Sequence, residues 1–305
     1  MLNFMARRVF VALLVAFTVS VIAFSLLRLS GDLATMIAGD DASTKDIALI
    51  RHQYGLDRPY YIQYFDWLKS GLQGDLGESM FYPEKVMDLI ADRLPNTILL
   101  ACLSLLFAMG LAVPLGVLAA LRPDSWVDRT ALTIAVLGQA LPGFWFALIL
   151  MFIFGLFLRL LPISGSDSLL HFILPAVALG YYSTPPVMRL TRTGMLEVLS
   201  SDYIRTARAK GLPTRTILFK HALRNAIIPV VALSCVQFGN MLGGAIVTER
   251  VFQFQGIGYL AWESISRNDF PIVQAVLLLV ACIYIVLVLV GDLLNAWLDP
   301  RLRVT

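Results

Sequence analysis

The chain has 305 residues, of which 58% are hydrophobic and 15% charged, and its formal net charge is +3. A mean hydropathy of +0.76 excludes the class of soluble globular domains. Several apolar runs are long enough to cross a bilayer, so the composition predicts an all-α membrane protein with several spans. Cys102, Cys235 and Cys282 are far apart within apolar runs, which argues against a disulfide framework or a zinc site.

The N-terminal third predicts one span and a polar external region. Two arginines precede the uncharged run 9–27, which fits either the apolar core of a signal peptide or a first transmembrane helix. The run is long for a signal peptide and no small-x-small cleavage site follows it, so we favour a retained helix within 1–29. Residues 30–95 are polar with aromatic anchors such as Tyr64 and Trp67. This pattern predicts short helices at the membrane surface.

Five further spans are predicted in a core at 96–294. They fall at 96–121, 131–158, 172–188, 227–247 and 271–289. The third of the six spans is interrupted by Gln139, Pro142 and Gly143. The fourth contains three prolines and a glycine, so hydropathy alone could miss it. Residues 295–305 are predicted to form a short tail.

Basic residues predict the orientation of the chain. Six spans place both termini on the same side of the membrane. With the termini inside, the inner segments carry 14 of the 24 basic residues but only six of the 21 acidic residues. Because Lys and Arg are enriched in cytoplasmic loops, the termini and the basic loop 195–226 are predicted to be cytoplasmic.

The stretch 200–229 is the longest basic segment, and its pattern predicts two short helices separated by a glycine. Ser201 is a predicted N-cap, and Asp202 places a negative charge at the positive end of the helix dipole. Gly211 can adopt the left-handed conformation that ends a helix, and Pro213 cannot continue it. A first helix of about nine residues is too short to be stable alone in water. It is therefore expected to dock against another surface.

Two surfaces could receive this helix, anionic lipid or a protein partner. Its apolar and small residues recur at a spacing of three and four and form a narrow seam: Leu196, Leu199, Tyr203, Ala207 and Gly211. Small residues allow the close approach of a protein, whereas burial in lipid would favour a broader face of large apolar residues. We therefore favour docking to a protein.

This stretch resembles the cytoplasmic loop of ABC importer permeases, whose general form is E-A-A, three residues, Gly, and later an apolar segment with Pro. Arg205, Thr206 and Ala207 stand at the three opening positions, Gly211 at the glycine, and the proline comes later, at Pro229. The variant DYIRTARAKG…KHALRNAIIPV is the form of the dipeptide, oligopeptide, nickel and glutathione importer branch. Two of the three opening positions depart from the general form.

Further motifs of that branch occur in order along the chain. They are YGLDRPYYIQY and GDLGESM after the first span, RLPNT before the second, LGGAIVTERVFQFQGIG around the end of the fifth, and NAWLDPRLR at the end. The resemblance thus covers nearly the whole chain. It implies the type I ABC importer permease fold, with six transmembrane helices and cytoplasmic N and C termini.

The resemblance also implies a function and a set of partners. The chain would be a permease subunit of the cytoplasmic (inner) membrane that moves short peptides, foremost dipeptides, with glutathione, a nickel chelate or oligopeptides as alternatives. Its implied partners are a second homologous permease subunit, two ATP-binding cassette ATPase subunits, and a periplasmic or lipid-anchored substrate-binding protein. Membrane lipid surrounds it, and no nucleic acid partner is expected.

By the same resemblance, a short cytoplasmic helix couples the chain to an ATPase. The implied coupling residues are Tyr203, Ile204, Arg205, Thr206, Ala207, Arg208, Ala209, Lys210 and Gly211. The docking seam would consist of Tyr203, Ile204, Ala207 and Gly211. The three basic residues would orient this seam against the partner, although a solvated basic face that only fixes topology explains their charge equally well.

Catalytic and cofactor sites are not predicted. The chain lacks a GxxxxGK[ST] phosphate-binding loop, so ATP is expected to be bound by partner subunits and no cofactor by this chain. His52, His171 and His221 are scattered, and neither a catalytic triad nor a carboxylate pair stands out, which disfavours an enzyme. Gly256 and Gly258 are spaced too closely for a dinucleotide fingerprint and predict a surface turn. A secondary transporter would need ionisable groups at mid-membrane and an internal repeat, and the sequence shows neither clearly.

Polar residues within the predicted spans are candidates for a translocation path. They are Gln139 in the third span and Gln237 and Asn240 in the fifth. Hydrogen bonds between helices explain them equally well. Glu249 and Arg250 fall at the outer end of the fifth span, where a gate or a contact with a binding protein would lie.

Overall fold

The computed structural model describes residues 2–29, 31–39 and 42–298, and its regular structure there is helical, with one isolated β-bridge between Glu78 and Lys85. The first helices are α1 (Leu2–Leu29), α2 (Leu33–Ala38), α3 (Thr44–Gln53), α4 (Tyr60–Leu72) and α5 (Val86–Leu121). The next are α6 (Trp126–Ala140), α7 (Gly143–Leu150) with a π-helical extension Met151–Phe157, and α8 (Leu170–Leu199). The last are α9 (Asp202–Ala209), α10 (Thr214–Thr216), a π-helical segment Ile217–Leu223, α11 (Arg224–Ala226), α12 (Ile228–Val251), α13 (Ile257–Ser266) and α14 (Phe270–Leu298).

Long helices form a bundle with two distinct ends. We call the end that carries residues 200–227 the basic end, and the end that carries residues 42–85 and 252–269 the loop end. Four helices, α1, α5, α12 and α14, are long and apolar enough to cross a membrane, and α6 with α7 and its extension could be a fifth span. Helix α8 does not meet this criterion. Six spans with cytoplasmic termini therefore stay a prediction.

Helix α8 is polar for a bundle helix because protein rather than lipid surrounds much of it. Fourteen of its 30 residues are buried, and α5 lies directly against it. A Cβ atom at Gly180 would lie 2.4 Å from the Ser104 carbonyl oxygen, and one at Gly116 would lie 2.8 Å from the Met188 carbonyl oxygen. Glycine at these two positions thus permits backbone contact between the helices. The prediction that hydropathy could miss this segment is confirmed.

The predicted third span is not one straight helix. Helix α6 ends at Ala140, α7 begins at Gly143, and the chain direction changes by 102° between them. Leu141 has an extended backbone, as expected for a residue that precedes a proline. Pro142 therefore does more than interrupt the span, because it separates two helices that point in different directions.

Helix α5 begins at Val86 rather than at residue 96. The extra turns are stabilised by tertiary packing, since Val86 and Ile90 are buried against Leu260 and Ile272. Pro95, within the motif RLPNT, consequently lies inside the helix. The sequence-based start of the second span is therefore too late.

The terminal helices meet at the basic end. The Arg8 guanidinium lies 2.7 Å from the Asp292 carboxylate, so this ion pair joins α1 to α14. Most of the predicted tail 295–305, with the second half of the motif NAWLDPRLR, lies outside the described residues.

The close contact between α5 and α8 predicts the effect of adding one methyl group. Gly180→Ala should lower the thermal unfolding temperature of the detergent-purified protein, because overpacking costs about 1–3 kcal/mol. Gly110→Ala is the matched control, since a Cβ atom at Gly110 meets nothing within 4 Å. The control should be neutral or slightly stabilising because alanine favours helices. Equal unfolding temperatures for the two variants would contradict the backbone contact.

Candidate functional site

Helix α9 lies at the basic end and is separated from α8 by two residues. Gly211, which follows it, has φ +72°, and its N–H donates to the Arg208 carbonyl at 2.9 Å while the Leu212 N–H donates to the Ala207 carbonyl at 3.3 Å. This is a helix end of the left-handed glycine type. The structure thus confirms the predicted stop and the second helix that follows.

The predicted role of Ser201 as a side-chain cap is wrong. Ser201 occupies the N-cap position with an extended backbone, but its side chain makes no capping hydrogen bond. Its hydroxyl instead donates to the Val198 carbonyl at 2.6 Å. The C-terminal end of α8 lies close enough to provide a carbonyl acceptor, and the hydroxyl satisfies that carbonyl rather than an N–H group of α9.

The apolar side of α9 packs against the chain itself. Ile204 is fully buried and Ala207 is 8% exposed, in one cluster with Ala120 at the end of α5, Met195 near the end of α8, and Ile217. Two residues of the predicted docking seam therefore contact the chain's own helices instead of a partner. The other two seam residues, Tyr203 and Gly211, are exposed, so the seam is divided between a buried and an exposed side of α9.

The remaining coupling candidates lie on the opposite, exposed side of α9. We call them the exposed α9 face: Tyr203, Arg205, Thr206, Arg208, Ala209, Lys210 and Gly211. Arg205 forms only a long 3.4 Å ion pair with Asp202, and both side chains are exposed, so the pair contributes little. The Tyr203 hydroxyl accepts a hydrogen bond from the Asn225 side chain at 2.9 Å, which ties this face to α11. The face is polar and basic, and it is held in place by the Tyr203–Asn225 hydrogen bond and by the buried side of α9.

A buried ion pair next to this region was not identified from the sequence. Arg192 on α8 donates two hydrogen bonds to the Asp128 carboxylate, from Nε at 2.8 Å and from Nη2 at 2.6 Å. The Asp128 side chain is 3% exposed and also accepts from the Asp124 backbone N–H at 3.0 Å. This bidentate contact fixes the start of α6 to α8. Only the nearness of both charges to the basic end could have suggested it.

The three candidates for the translocation path are not brought into one cluster. Gln139, on α6 just before the break, donates to the Tyr182 carbonyl of α8 at 3.2 Å. This contact corresponds to the second explanation given for these residues, a hydrogen bond between helices. The Asn240 side chain donates to Gln237 at 3.1 Å on the same helix. Gln237 is buried, whereas Asn240 is exposed on α12. The pair on α12 therefore presents one amide to the surface of the chain within a span.

At the loop end, the Glu249 carboxylate of α12 is fully buried and binds groups from two other segments. It accepts hydrogen bonds from the Thr97 hydroxyl of α5 at 2.7 Å and from the Tyr259 backbone N–H at 2.9 Å. The Thr97 hydroxyl in turn accepts from the Ile257 N–H at 2.9 Å. Glu249 thus positions α13 against α5 and α12, and its burial disagrees with a direct contact to a binding protein. Arg250 beside it is exposed.

The two glycines of this loop are required by the Glu249 contact. A Cβ atom at Gly256 would lie 2.4 Å from the Glu249 carboxylate, and one at Gly258 would lie 2.6 Å from the Ile246 Cα atom. Gly258 lies inside α13 rather than in a turn. The prediction of a surface turn is therefore only partly right. The two glycines allow the N-terminal end of α13 to approach the buried Glu249 carboxylate.

The loop before α5 is also attached to α13 and α14. The Asp269 carboxylate accepts from the Ser79 hydroxyl and from the backbone N–H groups of Met80 and Phe81. The pKa of Tyr82 in this loop is raised, first by burial and second by a hydrogen bond with the Glu263 carboxylate.

Within the described residues, no group of three or more His, Cys, Asp or Glu side chains could hold a metal ion.

Comparisons with known proteins show the family. Residues 112–304 match the family described as "Binding-protein-dependent transport system inner membrane component", and residues 1–101 match the corresponding N-terminal family. The chain belongs to this family. It is thus an ABC importer permease of the inner membrane and a transport subunit rather than an enzyme.

Curated relatives place the permease in the dipeptide and glutathione branch. It is 41% identical to the glutathione transport system permease protein GsiC of Escherichia coli O6:H1, over 99% of both chains. The protein of the same name from Salmonella choleraesuis strain SC-B67 is 40% identical over 99% of both chains. The resemblance seen in the sequence motifs is thereby confirmed.

Solved structures agree on the fold. An inward-facing structure of the MetNI methionine ABC transporter matches with a TM-score of 0.59 and 19% sequence identity, over 70% of this chain and 97% of the other. A second crystal form of that transporter gives a TM-score of 0.58 at the same identity and coverage. The permease therefore has the type I ABC importer fold.

The Asp128–Arg192 contact predicts a large loss of stability when one partner is removed. Asp128→Ala leaves a mostly buried guanidinium without its carboxylate, which should destabilise the protein by about 3–5 kcal/mol. Arg205→Ala is the control, since its ion pair is exposed, and it should leave the thermal unfolding temperature nearly unchanged. If Asp128→Ala unfolds at the temperature of the unmodified protein, the pair has no stabilising role.

The Thr97–Glu249 contact predicts that an isosteric change destabilises the loop end. Thr97→Val removes the hydroxyl that bonds Glu249 and the Ile257 N–H, so two buried groups each lose a partner at a cost of about 1–3 kcal/mol per group. Thr191→Val is the matched control, because Thr191 is equally buried but its hydroxyl bonds only the Val187 carbonyl of its own helix. Thermal unfolding should separate the two variants. Similar losses in both would contradict the special role of Thr97.

Proposed function

We propose that this permease moves a short peptide of the glutathione type inward across the inner membrane, driven by ATP hydrolysed on partner subunits. The observation that carries this proposal is the 41% identity to a glutathione permease over 99% of both chains. Dipeptides, the substrate first expected from the sequence motifs, are the second candidate. Relatives at this identity support glutathione more directly.

The proposed assembly contains a second homologous permease, two ATPase subunits and a periplasmic or lipid-anchored substrate-binding protein. The family description itself names dependence on a binding protein. The chain has no phosphate-binding loop, so ATP is bound by the partners and this chain needs no cofactor of its own. The basic end faces the cytoplasm in this proposal, as the distribution of Lys and Arg predicts.

The exposed α9 face is the proposed contact with an ATPase subunit. Its support is geometric. Ile204, on the underside of α9, is fully buried among the ends of α5, α8 and the π-helical segment. A force on the exposed α9 face is therefore passed through the Ile204 side chain to α5, α8 and the π-helical segment. Transmission of this kind is needed if the helices move as rigid bodies between two states. Arg205, Arg208 and Lys210 give the contact a positive charge that suits an acidic groove.

The proposed translocation path includes the exposed side of α12. Asn240 is an exposed amide within a span, and a polar group in lipid is costly. In a path shared with a second permease, water or a polar group of that subunit would hydrogen-bond to this amide. Gln237, its hydrogen-bond partner, and Gln139 near the break between α6 and α7 are the other proposed path residues.

Uptake measurements separate the two substrate candidates. Vesicles that contain the complete transporter and its cognate binding protein should accumulate labelled glutathione, and excess unlabelled glutathione should compete more strongly than a dipeptide such as dialanine. Preferential competition by the dipeptide would overturn the glutathione assignment. An absence of ATP-dependent uptake for every peptide tested would overturn the peptide class.

The exposed α9 face makes a prediction about coupling. Ala209→Trp adds a large side chain at an exposed position, so folding should persist while substrate-stimulated ATP hydrolysis and uptake fall together. Arg122→Trp is the control, because Arg122 is also exposed at the basic end but lies outside α9. Normal uptake and normal ATPase co-purification for Ala209→Trp would show that this face does not receive the ATPase.

A further inference from the structure

Helix α4 belongs to the loop end by its position in the sequence, yet its Tyr64 side chain reaches α1 inside the predicted membrane. The Tyr64 hydroxyl lies 2.8 Å from the Ser20 hydroxyl, and the Tyr64 ring makes edge contacts with Phe17 and Phe24 at centroid distances of 6.2 and 5.3 Å. Ser20 and Tyr64 are both buried. Side chains around Tyr64 therefore join α4 to α1.

The depth of this contact follows from the helix geometry. The uncharged apolar run of α1 covers residues 9–27. At a rise of about 1.5 Å per residue, Ser20 lies about 10 Å inside the end of that run. Because half of a typical hydrocarbon core is about 15 Å thick, the Tyr64 side chain reaches well below the membrane surface. Its helix cannot lie wholly in water.

A second, independent observation concerns the other side of α4. Four apolar residues recur there at helical spacing and form what we call the α4 stripe: Tyr61, Phe65, Leu68 and Leu72. In the described part of the chain, Tyr61, Phe65 and Leu72 are 65%, 60% and 81% exposed. Two polar residues of the helix, Asp66 and Ser70, lie away from both the stripe and Tyr64, whereas Lys69 borders the stripe one turn after Phe65. Helix α4 thus has a face towards α1, an exposed apolar face and a polar face.

The α4 stripe is linked to the lipid-facing side of α1. Phe17 on α1 is 54% exposed, and it contacts Tyr64, whose ring lies 5.5 Å from the Phe65 ring. Leu13 and Phe10 extend the exposed apolar surface of α1 further along the span. Exposed apolar side chains of α1 and of α4 are therefore linked through the buried Tyr64 ring.

We propose that α4 is embedded in the bilayer leaflet at the loop end, with the α4 stripe in contact with lipid acyl chains and the polar face towards the headgroups and water. The depth of the Tyr64–Ser20 contact and the link to α1 identify lipid as the occupant. This placement goes beyond the transport function, because it makes the region before α5 a membrane anchor rather than an aqueous domain. It also deepens the expectation of helices at the membrane surface.

Spin-label accessibility tests the placement in the full transporter, reconstituted in vesicles of phosphatidylethanolamine and phosphatidylglycerol. A nitroxide is attached to Phe65→Cys, or to Asp66→Cys as the control on the polar face, after Cys102, Cys235 and Cys282 are replaced by serine. Collisions with dissolved oxygen should dominate at residue 65, and collisions with a water-soluble nickel chelate should dominate at residue 66. Nickel access at residue 65 would place the stripe in water and overturn the proposal. Protection of residue 65 from both reagents would show that a protein covers the stripe and would overturn it equally.

A measurement without substitutions guards against misfolded variants. A carbene-generating reagent that partitions into the hydrocarbon phase should label the peptide 60–72 of the unmodified protein at Tyr61, Phe65 or Leu72. Labelling should be absent from Asp66 and Ser70. A peptide without label, in a protein whose α1 is labelled normally, would contradict embedding whatever the substrate of the transporter proves to be.

Discussion

Backbone contact between α5 and α8 is the constraint on which the rest of the structure depends. Gly116 and Gly180 allow the two helices to touch, and their ends then enclose the same small volume at the basic end. Ala120 of α5 and Met195 of α8 form that volume, and Ile204 of α9 fills it. The position of the surface proposed to meet an ATPase therefore follows from glycines inside the bundle.

Hydrogen bonding is distributed in a way that suits motion of helices as rigid bodies. The buried hydroxyls beside the α5–α8 contact bond within their own helices, with Ser104 donating to Leu100, Thr184 to Gly180 and Thr191 to Val187. Contacts between segments occur at the ends, at Asp128–Arg192 and at Thr97–Glu249, and between α6 and α8 at Gln139–Tyr182. Sliding of α5 along α8 would thus alter packing without breaking these internal bonds. The end contacts would decide which segments move together.

The sequence predicted elements where local chemistry determines them and failed where tertiary packing does. Apolar runs located α1, α12 and α14, and the left-handed requirement at Gly211 located the end of α9. The early start of α5 at Val86 depends on partners in α13 and α14 that no local pattern reveals. Pro142 signalled an interruption, but the 102° change of direction depends on what surrounds both helices. Spacing placed Ala207 on the buried side of α9 but also included the exposed Tyr203 and Gly211, because spacing does not state which surface covers a residue. Buried pairs such as Asp128 and Arg192 are 64 residues apart, and only the fold brings them together.

The burial of Ile204 and Ala207 changes how the charge at Arg205 must be understood. If the apolar seam received the ATPase, the basic residues would stand at the rim of an apolar contact and act mainly in steering. Because the seam is already occupied by the chain itself, the basic residues instead lie at the centre of the available surface. Arg205 is held there only by a long, exposed pair with Asp202, so its guanidinium is free to exchange that partner for another carboxylate. A surface of this kind gives an orientation-dependent, salt-sensitive contact rather than a permanent one. In the proposed contact, an arginine at a position where the wider family carries glutamate favours a partner groove of the opposite charge.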